Sequence, residues 1–139
     1  MIDFHYEANF DLENSEKYTR WINNILISEN AHLGELSYIF CTDEYLIKLN
    51  KKYLGHDTYT DIVTFNYSEE GVMSGEIYIS VDRVRENALK FQEDFITELH
   101  RVMAHGVLHL LGYNDKTESE REEMRTKENE KINLFHVKQ

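Results

Sequence analysis

Two histidines and an aspartate in the last third of the chain, His105, His109 and Asp115, have the types and spacing to share one metal ion. Positions four apart in a helix lie about 40° apart around the axis and one turn apart along it, so two such imidazoles can reach one cation. Gly112 follows in the next turn. Glycine takes positive φ without a steric penalty, which lets the chain leave the helix and swing Asp115 back toward the pair. Two neutral nitrogens and a carboxylate oxygen suit zinc, and three protein ligands leave one coordination position open. Such a centre can acidify water for attack on a carbonyl or a phosphodiester. The same spacing also serves two core histidines bonded to backbone groups, with Asp115 only capping the turn. Against that stands the apolar setting of Val107, Leu108, Leu110 and Leu111, where imidazoles without partners cost free energy.

The other histidines lack this geometry. His100 lies five residues before His105, roughly 140° around a helix, and is expected to face elsewhere. His5, His32, His56 and His136 have no ligand-like spacing to one another and read as surface or turn residues.

The elements that must position the three candidate ligands can be read from periodicity and punctuation. Ile2 to Glu7 alternates apolar and polar residues like a half-buried strand. Residues 15–29 carry Tyr18, Trp21, Ile22, Ile25 and Leu26 at helical spacing, with Asn14 or Ser15 as N-cap. Gly34 opens a strand over 35–41, and Asp43 and Glu44 begin a helix that Gly55 stops. Strands over 61–67 and 76–81 flank a turn region containing Gly71 and Gly75, and a short helix covers 83–91. The helix carrying the histidines spans 94–111. Thr117-Glu118-Ser119-Glu120 is a capping box that starts a last helix, whose mixed charges read as a solvated face. Strands come early and long helices late. This order predicts a single α+β domain over residues 1–139, an approximately four-stranded mixed sheet packed with about five helices.

Bulk composition narrows the function classes. The chain has 139 residues, 41% hydrophobic and 12% aromatic, which fits one globular domain and excludes a disordered one. No apolar run approaches the roughly 20 residues of a membrane span, and the N-terminus does not resemble a secretory signal. The lone Cys41 cannot form an internal disulfide, so a cytoplasmic location is expected. Cys41 lies in an apolar strand and reads as buried packing, with a catalytic thiol the alternative. A net charge of −11 argues against nucleic-acid binding through a broadly basic surface and leaves room only for a local basic groove.

Three segments together resemble the YbeY family of metal-dependent rRNA-maturation endoribonucleases. They are the metal segment from His105 to Tyr113, the strand Thr60-Asp61-Ile62-Val63-Thr64-Phe65, and the strand Gly75-Glu76-Ile77-Tyr78-Ile79-Ser80. Met124 also falls where the family tends to place a methionine, so the likeness spans about residues 45–125. The resemblance implies a hydrolase carrying one zinc or a similar divalent transition metal, which cleaves single-stranded RNA in maturation of the small-subunit rRNA 3′ end and in ribosome quality control. Its partners are then rRNA and a ribosomal subunit. His105 and His109 become the first two ligands and position 115 the third.

The chain departs from the family in three places. Asn114-Asp115 replaces the usual Asp-His, Leu54 stands where an arginine is common, and Tyr59 replaces a proline. A third ligand that is aspartate adds negative charge and makes bound water less acidic.

Zinc proteases with a similar ligand pattern place a glutamate base directly after the first histidine. Gly106 stands there instead and is expected to leave room near the metal. Asp61 and Glu76 are candidate bases, equally readable as carboxylates held by backbone hydrogen bonds, and the catalytic residue is left unassigned. Lys48, Lys51 and Lys52, or Arg83 and Arg85, could line a phosphate path or simply solvate a face. On the groove reading, replacing Arg83 or Lys52 weakens RNA binding. Two other function classes fit the same residues: a ribosome assembly factor whose metal is structural, and a metal-dependent peptidase or amide hydrolase.

Overall fold

The computed structural model describes residues 1–55 and 60–136; the expectations for His56 and Tyr59 lie outside the described residues. Along the chain run β1 (Ile2–Glu7), α1 (Ser15–Ser28), β2 (His32–Cys41), α2 (Asp43–Leu54), β3 (Ile62–Asn66), β4 (Val72–Ser80), α3 (Val81–Lys90), α4 (Phe95–Leu110) and α5 (Glu118–Asn133). A short 3₁₀ turn, Leu134–His136, follows. The sheet order is β1-β2-β4-β3. β1, β2 and β4 are parallel, and β3 is an antiparallel edge strand. The α+β class, the four-stranded mixed sheet and the five helices match the sequence expectation. Among the described residues no helix is long and apolar enough to cross a membrane.

Two strands begin earlier than expected. β2 starts at His32, with Gly34 inside it, and β4 starts at Val72, so the turn is shorter than the glycines suggest. The cause is tertiary: His32 and Leu33 pair with Val72 and Met73, and the register then shifts before Leu36 meets Gly75. Local sequence does not reveal such a shift, because it is fixed by the partner strand.

The two faces of the sheet bury different amounts of chain. On one, α1 and α4 cover Leu36, Tyr38, Phe40, Ile77 and Ile79, with Trp21, Ile25, Leu99, Met103 and Val107 as their partners. On the other, α2 covers only a small cluster around Cys41, Leu46 and Val63. Cys41 is fully buried. Burial, with Asp82 and Asp43 nearby, pushes its thiol up to about 12, which suits packing and not nucleophilic attack.

His100 faces away from the candidate ligands, as its spacing predicts. Its ring is buried, shares a 2.9 Å hydrogen bond with the Tyr18 hydroxyl, and packs on Trp21 and Phe135. Burial lowers its pKa to about 4. In the unfolded chain the same ring takes a proton near 6.5. Its contribution to stability is therefore complete above pH 6.5 and is lost as the pH falls toward 4. We expect thermal and denaturant unfolding to show a stability loss on the order of 2 kcal/mol from this residue between pH 7 and pH 5. A His100→Gln variant should lack that component; an unchanged pH slope would refute it.

Candidate metal centre

The site is built on α4, whose apolar face enters the core. Gly106 lies on that face, between the two candidate histidines. A Cβ added there would stand 2.8 Å from Ile77 Cγ2 and 3.0 Å from Ile62 Cδ1. The missing side chain therefore lets the helix lie directly on β3 and β4. The expectation that Gly106 leaves room near a metal is corrected: Ile77 and Ile62 already occupy that space.

α4 ends in a two-bond motif closed by Gly112. The Tyr113 amide donates to the Leu108 carbonyl and the Gly112 amide to the His109 carbonyl, each at 3.0 Å. Gly112 has φ of 105°, a conformation that non-glycine residues rarely adopt. The following loop is then fixed by the capping box of α5, in which the Thr117 hydroxyl accepts from the Glu120 amide and Glu120 accepts from the Thr117 amide. Held at both ends, the loop returns Asp115 to the histidines.

The three residues meet as the spacing predicts. Asp115 Oδ2 lies 3.3 Å from Nε2 of His105 and 3.3 Å from Nε2 of His109. The rings stand 4.5 Å apart at 79°, and one donor atom from each of the three residues falls within 4.8 Å of the others. Donors at about 2.0–2.1 Å from a tetrahedral zinc are about 3.3 Å apart, which matches the two aspartate–histidine distances. The second nitrogen of each ring is also engaged. His105 Nδ1 donates to Glu128 Oε2 at 2.6 Å and His109 Nδ1 to the Tyr113 carbonyl at 3.0 Å. Those bonds fix the tautomer with each Nε2 lone pair facing Asp115, the arrangement a metal-bound histidine needs. The residues present fit a divalent transition metal.

Electrostatics around the site are mainly acidic. Burial opposes a charge on His105, but the hydrogen bond and charge of Glu128, with Asp115 and Asp61 nearby, outweigh it and raise its pKa. Asp61 lines the same cavity, of about 750 Å³, and Asn87 donates to its carboxylate at 3.4 Å. Burial raises the Asp61 pKa above that of an ordinary aspartate. Glu76, the other candidate base, is elsewhere. Strand alternation turns it to the opposite sheet face, where it accepts from the Tyr67 hydroxyl at 3.1 Å.

The expected basic groups do not line this cavity either. Arg83 pairs with Asp43 at 2.7 Å and ties α3 to α2, while Arg85 lies near Asp82 and over the Phe95 ring. Lys48 and Lys52 are on the Glu76 side. The guanidiniums that do face the cavity are Arg101 and Arg125. Leu54 also lines it, so the position where an arginine is common brings no charge here.

Sequence reasoning missed the outer partners, because it read α5 as a solvated face. In the structure Met124, Glu128 and Lys131 are buried against α4 and α1. Their i, i+4, i+7 spacing was the available signal, hidden by charges on every other face. Glu128 also takes Arg101 at 3.1 Å. Lys131, fully buried, bonds Glu29 at 2.6 Å, and Glu29 in turn accepts from the Tyr113 hydroxyl. Burial alone would raise the Glu29 pKa. Lys131, with Tyr113 and Lys127, overrides it and holds the carboxyl at about 2.

This arrangement makes Glu128 the main positioning group for His105. A Glu128→Gln variant is expected to bind zinc about 10- to 100-fold more weakly, measured by competition with a chromophoric chelator. Wild-type affinity in a folded variant would remove Glu128 from that role.

The family model described as Endoribonuclease YbeY matches residues 2–136. A protein named Endoribonuclease YbeY from Flavobacterium johnsoniae is 50% identical over 139 residues, covering 100% of both chains. One of the same name from Christiangramia forsetii is 51% identical over 138 residues, covering 99% of this chain and 96% of its own. The solution structure of TM1509 from Thermotoga maritima superposes with a TM-score of 0.69 at 29% identity, covering 97% of this chain and 89% of that one. With the family model and the full-length relatives in agreement, the chain belongs to the YbeY endoribonuclease family.

Proposed function

We propose that this protein is a metal-dependent endoribonuclease that cleaves single-stranded RNA in rRNA maturation. On this reading it acts in the cytoplasm on a ribosomal subunit, at the 3′ end of the small-subunit rRNA, and serves ribosome quality control. The observation that carries the proposal is the meeting of His105, His109 and Asp115 at one wall of an open cavity, with both outer ring nitrogens already bonded. Family membership supplies the substrate class, since the relatives are named as endoribonucleases.

His105, His109 and Asp115 would hold a zinc-type cation, which supplies a Lewis acid able to acidify water and polarise a phosphoryl oxygen. The chain's own groups do the rest. Glu128 and the Tyr113 carbonyl orient the imidazoles. Asp61 is the group placed to accept a proton, because its raised pKa moves it toward the range useful near neutral pH. Both guanidiniums approach Glu128, Arg101 at 3.1 Å and Arg125 at 3.9 Å; Arg125, with a side chain 65% exposed, is the more available to a phosphate. A peptidase reading is disfavoured by Gly106. A glutamate there would have to displace Ile77 and Ile62 from the helix–sheet contact.

Metal content by mass spectrometry, alongside cleavage of an unstructured RNA with and without chelator, tests the reading. We expect about one zinc per wild-type chain, with metal and cleavage both lost in Asp115→Ala. Stoichiometric metal without cleavage of RNA would favour an assembly factor. Asp61→Asn should keep its metal yet lose roughly 10²- to 10⁴-fold in kcat. A kcat within a few-fold of wild type would deny Asp61 the proton-transfer role.

A further inference from the structure

The sheet face away from α4 carries a groove that the metal centre does not use. It measures about 570 Å³ and lies between α2 and the β3–β4 pair. Five aromatic rings line it. Tyr45 stacks on Tyr78, Phe65 meets Tyr78 edge-on, and Tyr53 meets Phe65 edge-on. Tyr67 completes the set. Tyr45, Tyr53 and Tyr67 are 38%, 55% and 59% exposed, so this is a wet aromatic surface and not a core.

The polar groups in the groove have a definite chemistry. Lys48 and Lys52 are one helical turn apart on α2 and both line it. On a chain of net charge −11, two cations set among exposed rings complement a phosphate backbone locally. Rings that stack on bases, with lysines along the backbone, are the means by which proteins hold unpaired nucleic acid. Glu76, oriented by Tyr67, can accept from a base's exocyclic amino group.

The groove is also close to the metal cavity. Along edge strand β3, Ile62 and Thr64 face the cavity while Phe65 faces the groove. α2 is divided in the same way, with Asn50 and Leu54 on the cavity and Lys52 and Tyr53 on the groove. From Asp61 to Phe65 is about 13 Å of strand, a distance that a few nucleotides span. We propose that this groove is an accessory subsite that stacks unpaired bases of the RNA strand whose backbone lies at the metal centre. The proposal rests on the endoribonuclease reading given above.

The test uses the zinc-loaded full chain and fluorescence anisotropy with labelled, unstructured RNA of twelve and of two nucleotides. Tyr53→Ala, Tyr67→Ala and the Lys48→Glu/Lys52→Glu pair are each expected to weaken 12-mer binding by roughly tenfold. Metal content, and cleavage of a dinucleotide too short to occupy both places, should stay at wild-type levels. A 12-mer with abasic sites should bind wild type more weakly and Tyr67→Ala no differently. Unchanged 12-mer affinity in all the variants, with wild type binding and cleaving, overturns the subsite alone and leaves the groove to a protein partner. No RNA binding by wild type overturns both readings.

Discussion

A helix can approach a sheet only as closely as its side chains allow, and at Gly106 there is none. Ile77 and Ile62 fill the space, so α4 is seated against β4 and β3 at the turn that carries both candidate ligands. Its neighbours on that turn then have no freedom to choose a face. His105 and His109 flank the contact and must emerge together at the rim of β3, beside Asp61. A larger residue at 106 would push the helix outward and carry the imidazoles away from the strand. The close packing of the core thus sets the geometry of the polar site.

The outer side of the site depends on ions brought out of water. Lys131 is fully buried, and Glu128 nearly so, on the same face of α5 as Met124. Desolvating such groups is expensive unless each has good partners. Here each has several: Glu128 meets His105 and Arg101, while Lys131 meets Glu29, Ser28 and Glu130. A shift of α5 by one turn would part these charges from their partners. The docking reaches both candidate ligands, through Glu128 to His105 and through Glu29 and Tyr113 to His109.

Much of this was legible in the residues alone. The histidine pair, the glycine exit and the capping box each carry a local geometric rule, and the structure obeys all three. Element types were legible for the same reason. What remained hidden depends on contacts between distant segments. The early start of β2 and β4 comes from their pairing, and the inward face of α5 comes from partners on α1 and α4. Glu76 shows the limit most clearly. Its place at the end of a strand next to that of Asp61 suggested a base, but the two-residue alternation of β4 turns it to the other face.

The composition of the metal cavity has a consequence for the order of events. Asp61, Glu98, Asp115 and Glu128 face it, against Arg101 and Arg125. On the proposed metal-dependent reading, with Asp115 as the third ligand, the metal-free cavity carries an excess of negative charge and repels a polyanion. A dication held there cancels that excess. Cation and polyanion should therefore bind with positive cooperativity, each tightening the other by the same factor. On that reading metal availability would govern substrate affinity as well as turnover, and a metal-starved cell would hold the protein free of RNA.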